Sequence, residues 1–378
     1  YIGAAVPMPE AMEETALLAG KGKFQAALRL KFLKFRRTDR IIGIALLAGI
    51  GVFFFLPVWE LIRTAFTLSA QDLRAVPGGV EGAWTLNHLK RVFFGELGKK
   101  ILWEPLWNTL KVGFGTTILS VSLGTIMAWF VVRTDMRFSK WINNLALIPY
   151  ILPSWVNAMA WVVVFKNSRI GGFPGLIHSI TGWEPPNWLA YGILPIVISL
   201  GLHYFVFAFL LVSNALQSVN SELEEAGETL GASRFTILKN ITFPIVMPAI
   251  GAASILTMSR GFGTFGTPAF LGLPVREYTI STRIYGFLRN RSFGEAFILV
   301  IVLVLMGLAT LYINSKLLGT RKSFATIGGK GIRARRTSLG RFRTPIGVFF
   351  LGFLLIVSLG PLVILGLQTV MLRQGDYS

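Results

Sequence analysis

Apolar residues run along this chain in blocks too long for the helices of a soluble core. Crossing the hydrocarbon of a bilayer takes roughly 20 apolar residues. Seven segments reach that length: about 41–66, 107–132, 141–165, 190–217, 244–262, 294–318 and 344–370. Lipid offers no water to backbone groups, so each block must close its own hydrogen bonds and is predicted as a helix. Proline interrupts several blocks, at Pro57, Pro149, Pro153 and Pro361, and kinks are expected there. The pattern predicts an all-α, polytopic membrane protein.

One polar island breaks the rhythm between the fourth and fifth blocks. It carries Glu222, Glu224, Glu225 and Glu228, with Gly227 and Gly231 as punctuation, and must lie outside the membrane. Ser221 followed three residues later by Glu224 predicts a capping box. The four acids suit the positive end of a helix dipole, and Gly231 is predicted to end the helix in a left-handed turn. A second short helix is expected over 233–242, with Phe235, Leu238 and Ile241 on one face and Pro244 at the start of the next span. Small residues Ala226, Gly227, Gly231 and Ala232 would admit another backbone at close range. A helix resting on headgroups usually has a Lys/Arg-rich polar face. This one is acidic, which favours a protein partner.

Composition sharpens the picture. Charged residues make up 15% of the chain, against roughly 25% in soluble domains, and mean hydropathy is +0.61. The formal charge of +19 invites a nucleic-acid reading. Its basic residues instead flank the apolar blocks, as membrane topology requires, so membrane lipid and not nucleic acid is the expected surroundings. Alternate connections hold 22 Lys and Arg on one side and 12 on the other. The excess places residues 1–40, the acidic island and 316–343 in the cytoplasm. Trp59, Trp103, Trp107, Trp141, Trp183 and Trp188 stand near span ends, where interface anchors belong.

Residues 319–343 carry eight basic residues and several glycines, then a new span begins. Gly51-Val52-Phe53-Phe54-Phe55 and Gly347-Val348-Phe349-Phe350-Leu351 open the first and last spans alike. The expected organisation is a cytoplasmic segment 1–40, a six-span unit 41–318, a basic linker 319–343, and the first span of a second unit, 344–378, cut short. The chain starts at Tyr1 and stops just after an apolar run, so it is expected to be part of a longer polypeptide. No cleavable signal peptide is expected, because the first apolar run follows forty polar and basic residues.

The island then resembles a known loop. Glu225-Ala226-Gly227, Gly231 three residues on, and Ile241-Thr242-Phe243-Pro244 after nine more are similar to the Glu-Ala-Ala, Gly, Ile-x-Leu-Pro pattern of permease subunits of binding-protein-dependent ABC importers. Gly227 and Phe243 are two mild departures from it. The resemblance implies that the loop docks into a cytoplasmic ATPase and transmits its movement to the spans. That role falls on Glu225, Ala226, Gly227, Gly231, Ala232, Ile241, Phe243 and Pro244. It further implies two copies of the ATPase, an external solute-binding protein, a second permease half, and residence in a bacterial cytoplasmic membrane. No cofactor is implied on this chain, because ATP and magnesium belong to the partner. Three stretches, Ala128–Asp135, Ile148–Pro153 and Phe265–Gly272, resemble the branch serving ferric iron, with thiamine and polyamine permeases nearby. Ser323–Gly331 is similar to the linker of fused iron(III)-type permeases.

Other motifs carry less. Gly261-Phe262-Gly263-Thr264-Phe265-Gly266 matches a dinucleotide pattern that has meaning only between a strand and a helix. Here it ends a span, and it is expected to break that span near the outer face. There is no P-loop, so the chain is not expected to be an enzyme. Cys is absent and the three His, His88, His178 and His203, show no metal-ligand spacing; no metal site is predicted. Polar residues within spans are costly in lipid, which makes Asn157, His203, Tyr204, Asn214, Arg260 and Thr264 candidates for a translocation path. Hydrogen bonding between helices is the competing reading for each. An ion-driven secondary transporter is the alternative class. It would place carboxylates within its spans, and Glu60 near a span end is almost the only candidate.

Overall fold

The computed structural model describes residues 38–74, 76–319 and 336–370. Most of the N-terminal segment and the linker motif Ser323–Gly331 lie outside them. Among the described residues every regular element is helical, with two isolated bridges, Thr67 to Trp84 and Thr134 to Thr337. The chain divides into two compact units between Thr64 and Ala65.

The first unit contributes helix α1 (Thr38–Ala65), apolar on all sides with Pro57 inside it. Phe53, Phe54 and Phe55 are exposed, and Glu60 pairs with Arg63 near its end, at 3.5 Å. A helix that is apolar all round is suited to lipid.

The second unit holds the rest. Its first loop carries a 3₁₀ turn Asp72–Arg74 and helix α2 (Asn87–Phe93). The spans follow: α3 (Glu104–Arg133), the pair α4 (Ser139–Leu145) and α5 (Ser154–Phe165), then α6 (Ile193–Gln217). After the island come α7 (Ser221–Thr229), α8 (Phe243–Gly263), the short α9 (Gly266–Leu271), α10 (Ile280–Arg289), α11 (Phe293–Gly319) and α12 (Arg343–Val370). Six helices are long and apolar enough to cross a membrane, and the α4–α5 pair makes seven if it counts as one span.

That pair is the third span, bent where its prolines predict a kink, with Ser139–Ile151 as one half and Ser154–Phe165 as the other. Its two halves meet at 91°. Pro153 clashes with a helical residue before it, and Leu152 is accordingly extended, at φ −76° and ψ 140°. Pro153 also lacks the N–H that would bond the Pro149 carbonyl one turn back. His203 Nδ1 donates to that carbonyl instead, at 2.9 Å. One span boundary differs from the prediction. The fifth span begins at Arg234, because a π-turn over Leu238–Thr242 carries the helix past Pro244 without a break. A wider turn of this kind absorbs the ring and the missing donor.

Small residues let the spans approach one another, as helices in lipid do. A Cβ on Gly124 of α3 would stand 2.7 Å from both Ala208 Cβ and the Phe209 nitrogen of α6. Ser120 Oγ donates to the Gly201 carbonyl at 3.2 Å. Gly113 and Gly261 bring α3 and α8 together, with a Cβ on Gly261 only 3.1 Å from Gly113 Cα. Met127, Phe205, Phe209 and Val212 form a core near the loop end of α3 and α6, and Phe350 and Leu354 of α12 complete it. The six tryptophans expected at interfaces are all exposed.

Candidate coupling loop and translocation path

The acidic island folds as the glycine spacing predicts but is anchored differently. Asn220 caps α7, its Oδ1 accepting from the Glu222 N–H at 3.0 Å. The expected capping box of Ser221 and Glu224 does not form. Glu224 turns inward instead, with 8% of its side chain exposed, and accepts from Arg133 Nη2 at the end of α3. Its Oε1 also accepts from Thr242 Oγ1 at 2.8 Å. At the far end Gly231 takes φ +83°, a left-handed conformation that glycine adopts without a steric cost. The Ala232 N–H bonds the Gly227 carbonyl and the Gly231 N–H that of Glu228, at 3.0 and 2.8 Å, closing a Schellman turn. Ser233 Oγ caps the next turn by accepting from the Thr236 N–H.

The loop therefore has a packed face and an open one. Gly227 lies over the root of the fifth span: a Cβ there would meet Ile237 at 3.3 Å and Ile241 at 3.4 Å. Gly227, Ala232 and Ile241 are half-buried and fix the loop to the span. Glu225, Ala226, Gly231, Phe243 and Pro244 are exposed. Leu230 is 87% and Phe235 72% exposed, beside Leu223 at 51%. Phe235 thus leaves the apolar face predicted for it, and the buried position belongs to Ile237.

Arg133 ties this loop to more of the chain. Its guanidinium sits 5.9 Å from the Trp129 ring centre, and its carbonyl accepts from the Thr337 N–H at 2.7 Å. Asp135 Oδ1 accepts from the Leu339 N–H at 2.8 Å. The segment leading into α12 is thereby laid along the α3–α4 turn. A cavity of about 600 Å³ opens between this segment and the loop, lined in part by Trp129, Arg133, Arg234, Phe235 and Arg336.

Deeper in the second unit, the predicted path residues fall into two groups. His203 and Tyr204 are buried in α6, with ring centres 4.8 Å apart, and Tyr150 lies 5.5 Å from His203. The Tyr204 hydroxyl meets the Thr264 side chain, with Arg260 within electrostatic range. These four candidates are brought together. Asn214, ten residues further along α6, is exposed and lies outside the group, and Asn157 on α5 keeps a buried Oδ1 with no partner among the described residues. The break between α8 and α9 at Thr264 touches Tyr204, twelfth of the 25 residues of α6. The break thus lies beside the middle of α6. Transporter sites near the midplane are commonly built on such interrupted helices.

The end of the second unit opposite the acidic loop holds a cluster that sequence spacing did not reveal. His88 of α2 is 2% exposed, with Nε2 3.5 Å from Asp72 and Nδ1 3.7 Å from Glu295 at the start of α11. Arg91 Nη1 reaches Glu295 at 2.6 Å. Burial pushes His88 down, but Glu295, Asp72 and the Thr67 carbonyl together hold it above its ordinary 6.5. The three acid and imidazole donors lie within 4.8 Å of one another. The arrangement suits an imidazolium between two carboxylates. Glu295 is also a second span-end carboxylate beside Glu60, unrecognised in the sequence.

A polytopic all-α unit with interrupted spans and a capped loop between its fourth and fifth spans has the architecture expected of an importer permease. The chain belongs to the family of binding-protein-dependent transport system inner membrane components, whose profile matches residues 120–321. Among relatives, a Haemophilus influenzae permease assigned to ferric transport, FbpB 1, is 26% identical over 338 residues, covering 88% of this chain and 50% of its own. The ferric transport system permease FbpB of Actinobacillus pleuropneumoniae is 25% identical over 303 residues, covering 80% of this chain and 41% of its own. A Salmonella typhimurium permease assigned to 2-aminoethylphosphonate transport, PhnV, is 25% identical over 259 residues, covering 67% of this chain and 85% of its own. The chain thus spans about half the length of the ferric-transport relatives it matches. A crystal structure of a bacterial alginate ABC transporter in complex with its alginate-bound periplasmic protein shares the fold, with TM-score 0.56 at 18% identity, over 76% of this chain and 96% of that one.

Proposed function

We propose that this chain is the membrane-spanning part of an ATP-binding-cassette importer and that residues 221–244 are its coupling loop. A single observation carries the reading. The loop is pinned to α3 and α8 through the buried Glu224, while Glu225, Leu230, Gly231 and Phe235 face outward. An acidic, apolar-tipped projection locked to two spans is built to pass on a push received from a neighbour. Ligands shift a two-state equilibrium only by differential affinity for its states. The energy of nucleotide binding therefore enters through whatever grips this loop. Two copies of a cytoplasmic ATPase are the expected grip, one on this half and one on a second, homologous half. A binding protein delivers the solute from outside, and the chain lies in a bacterial cytoplasmic membrane with its N-terminus inside.

Ferric iron is the cargo we favour, on the strength of the two ferric-transport relatives and the Phe265–Gly272 resemblance. The phosphonate relative marks the competing class of solute. The test replaces Gly231→Pro or Glu225→Lys in the complete transporter. Proline cannot adopt the φ of +83° found at Gly231. Both variants should insert normally, lose ATP-driven uptake and co-purify with less ATPase. Unchanged uptake in both would overturn the assignment.

A further inference from the structure

Arg260 is the charge hardest to explain by the fold alone. It lies on α8 three residues before the helix ends at Gly263. It is exposed, and among the described residues it has neither an ion-pair nor a hydrogen-bond partner. Leu256, Arg260 and Gly263 share one side of α8 at helical spacing, and all three are exposed. This side faces either lipid or a water-filled path. A lone guanidinium within the hydrocarbon is disfavoured, and intramembrane charges characteristically face a bundle interior or an aqueous cavity. Its surroundings point the same way: Tyr204 stands in the middle of α6, and α8 breaks at Thr264, four residues beyond Arg260.

The sign of the charge then has a consequence for cargo. The described crossing helices α3, α6, α8 and α12 and the bent pair hold no carboxylate beyond Glu104 at the outer end of α3; α11 adds Glu295, also at its outer end. A cation descending this path would meet Arg260 with nothing to offset it. An anion would find an exposed guanidinium with no carboxylate competing for it. Rings of Arg or Lys select anions in pores for this reason.

We propose that Arg260 makes the path selective for solutes carrying net negative charge. The inference rests on the permease reading above, and it requires ferric iron, if that is the cargo, to cross as an anionic complex and not as the bare ion. Gly263 offers the test, because the chain has no cysteine and a Cβ at Gly263 meets nothing within 4 Å. Gly263→Cys is placed in the complete transporter in membrane vesicles, alone and with Arg260→Gln. Labelling rates are compared for two water-soluble methanethiosulfonates of similar size, one bearing a sulfonate and one a trimethylammonium group. With Arg260 present the anionic reagent should react faster. The anionic-to-cationic rate ratio should fall about tenfold in the double variant, the low end of electrostatic focusing in a low-dielectric cleft. A ratio that Arg260→Gln leaves unchanged overturns the proposal. So does a cysteine that neither reagent reaches, since α8 would then face lipid. ATPase co-purification is measured on the same vesicles: normal recruitment with an unmoved ratio sinks the anion inference alone, whereas lost recruitment in the unsubstituted chain sinks the permease reading.

Discussion

Removing the Glu224 carboxylate should release the coupling loop while leaving the bundle folded. In Glu224→Ala, Arg133 keeps its place at 3% exposure but loses the charge opposite it. Breaking a buried pair from one side costs about 3–5 kcal/mol, and the Thr242 hydroxyl loses its acceptor as well. Against this, α7 keeps the contact of Gly227 with Ile237 and Ile241, the Asn220 cap and the exposed Schellman turn, none of which replaces a buried ion pair. The cheapest relaxation is for α7 to swing out and let water reach Arg133. Local opening of this kind is set by few buried contacts. At 1.36 kcal/mol per tenfold change, amides of 222–232 should exchange at least about a hundredfold faster. Hydrogen exchange by mass spectrometry in detergent or nanodiscs reads this directly, with the middle of α3 and α6 as the unaffected reference. A second variant, Glu224→Ala with Arg133→Met, removes both charges and should recover most of the protection, because apolar replacement of a whole buried pair is often neutral. Unchanged exchange in the single variant, or equal damage in single and double, would refute the reasoning.

Two further outcomes follow from the packing and the outer cluster. Gly124→Leu should force α3 and α6 apart where the added side chain meets Ala208 and Phe209; overpacking costs about 1–3 kcal/mol and should lower the melting temperature in detergent, while Gly360→Leu on α12, which has open space around it, should not. His88 is held above 6.5 when folded, so its stabilisation is complete below that pH and is lost as pH rises through the folded value. Exchange at 87–94, corrected for intrinsic rates, should quicken as pH rises above 6.5 and through the raised folded value, and lose this dependence in His88→Gln.

What the sequence revealed depended on how local the cause was. Span positions follow from runs of apolar residues, and the loop from Glu225 to Pro244 from spacing within one short segment. Gly231 was legible because a left-handed turn is a property of one residue. Glu224 was misread as a cap because its interval from Ser221 satisfies the capping-box spacing; its true partner, Arg133, lies 91 residues away. Arg133 itself looked like one more cytoplasmic charge. The bend of the third span was signalled by Pro149 and Pro153, but not its 91° angle, which neighbouring helices set. His88 and Glu295 stand far apart in the chain and meet only after α2 packs on α11. The depth of the Thr264 break likewise depends on which residue of α6 lies beside it.

The claim that residues 221–244 receive the force of an ATPase has one most direct test. With no native cysteine, Leu230→Cys at the exposed tip of the loop can be the sole thiol of the chain. The complete transporter carrying it is treated with a short photoactivatable thiol reagent, and adducts are identified by mass spectrometry. Cross-linking to an ATP-binding subunit from Leu230→Cys, and not from a control thiol at Lys140 in the other cytoplasmic turn, is the predicted result. A loop thiol that cross-links only to lipid, or an ATPase captured from Lys140→Cys alone, would contradict the account.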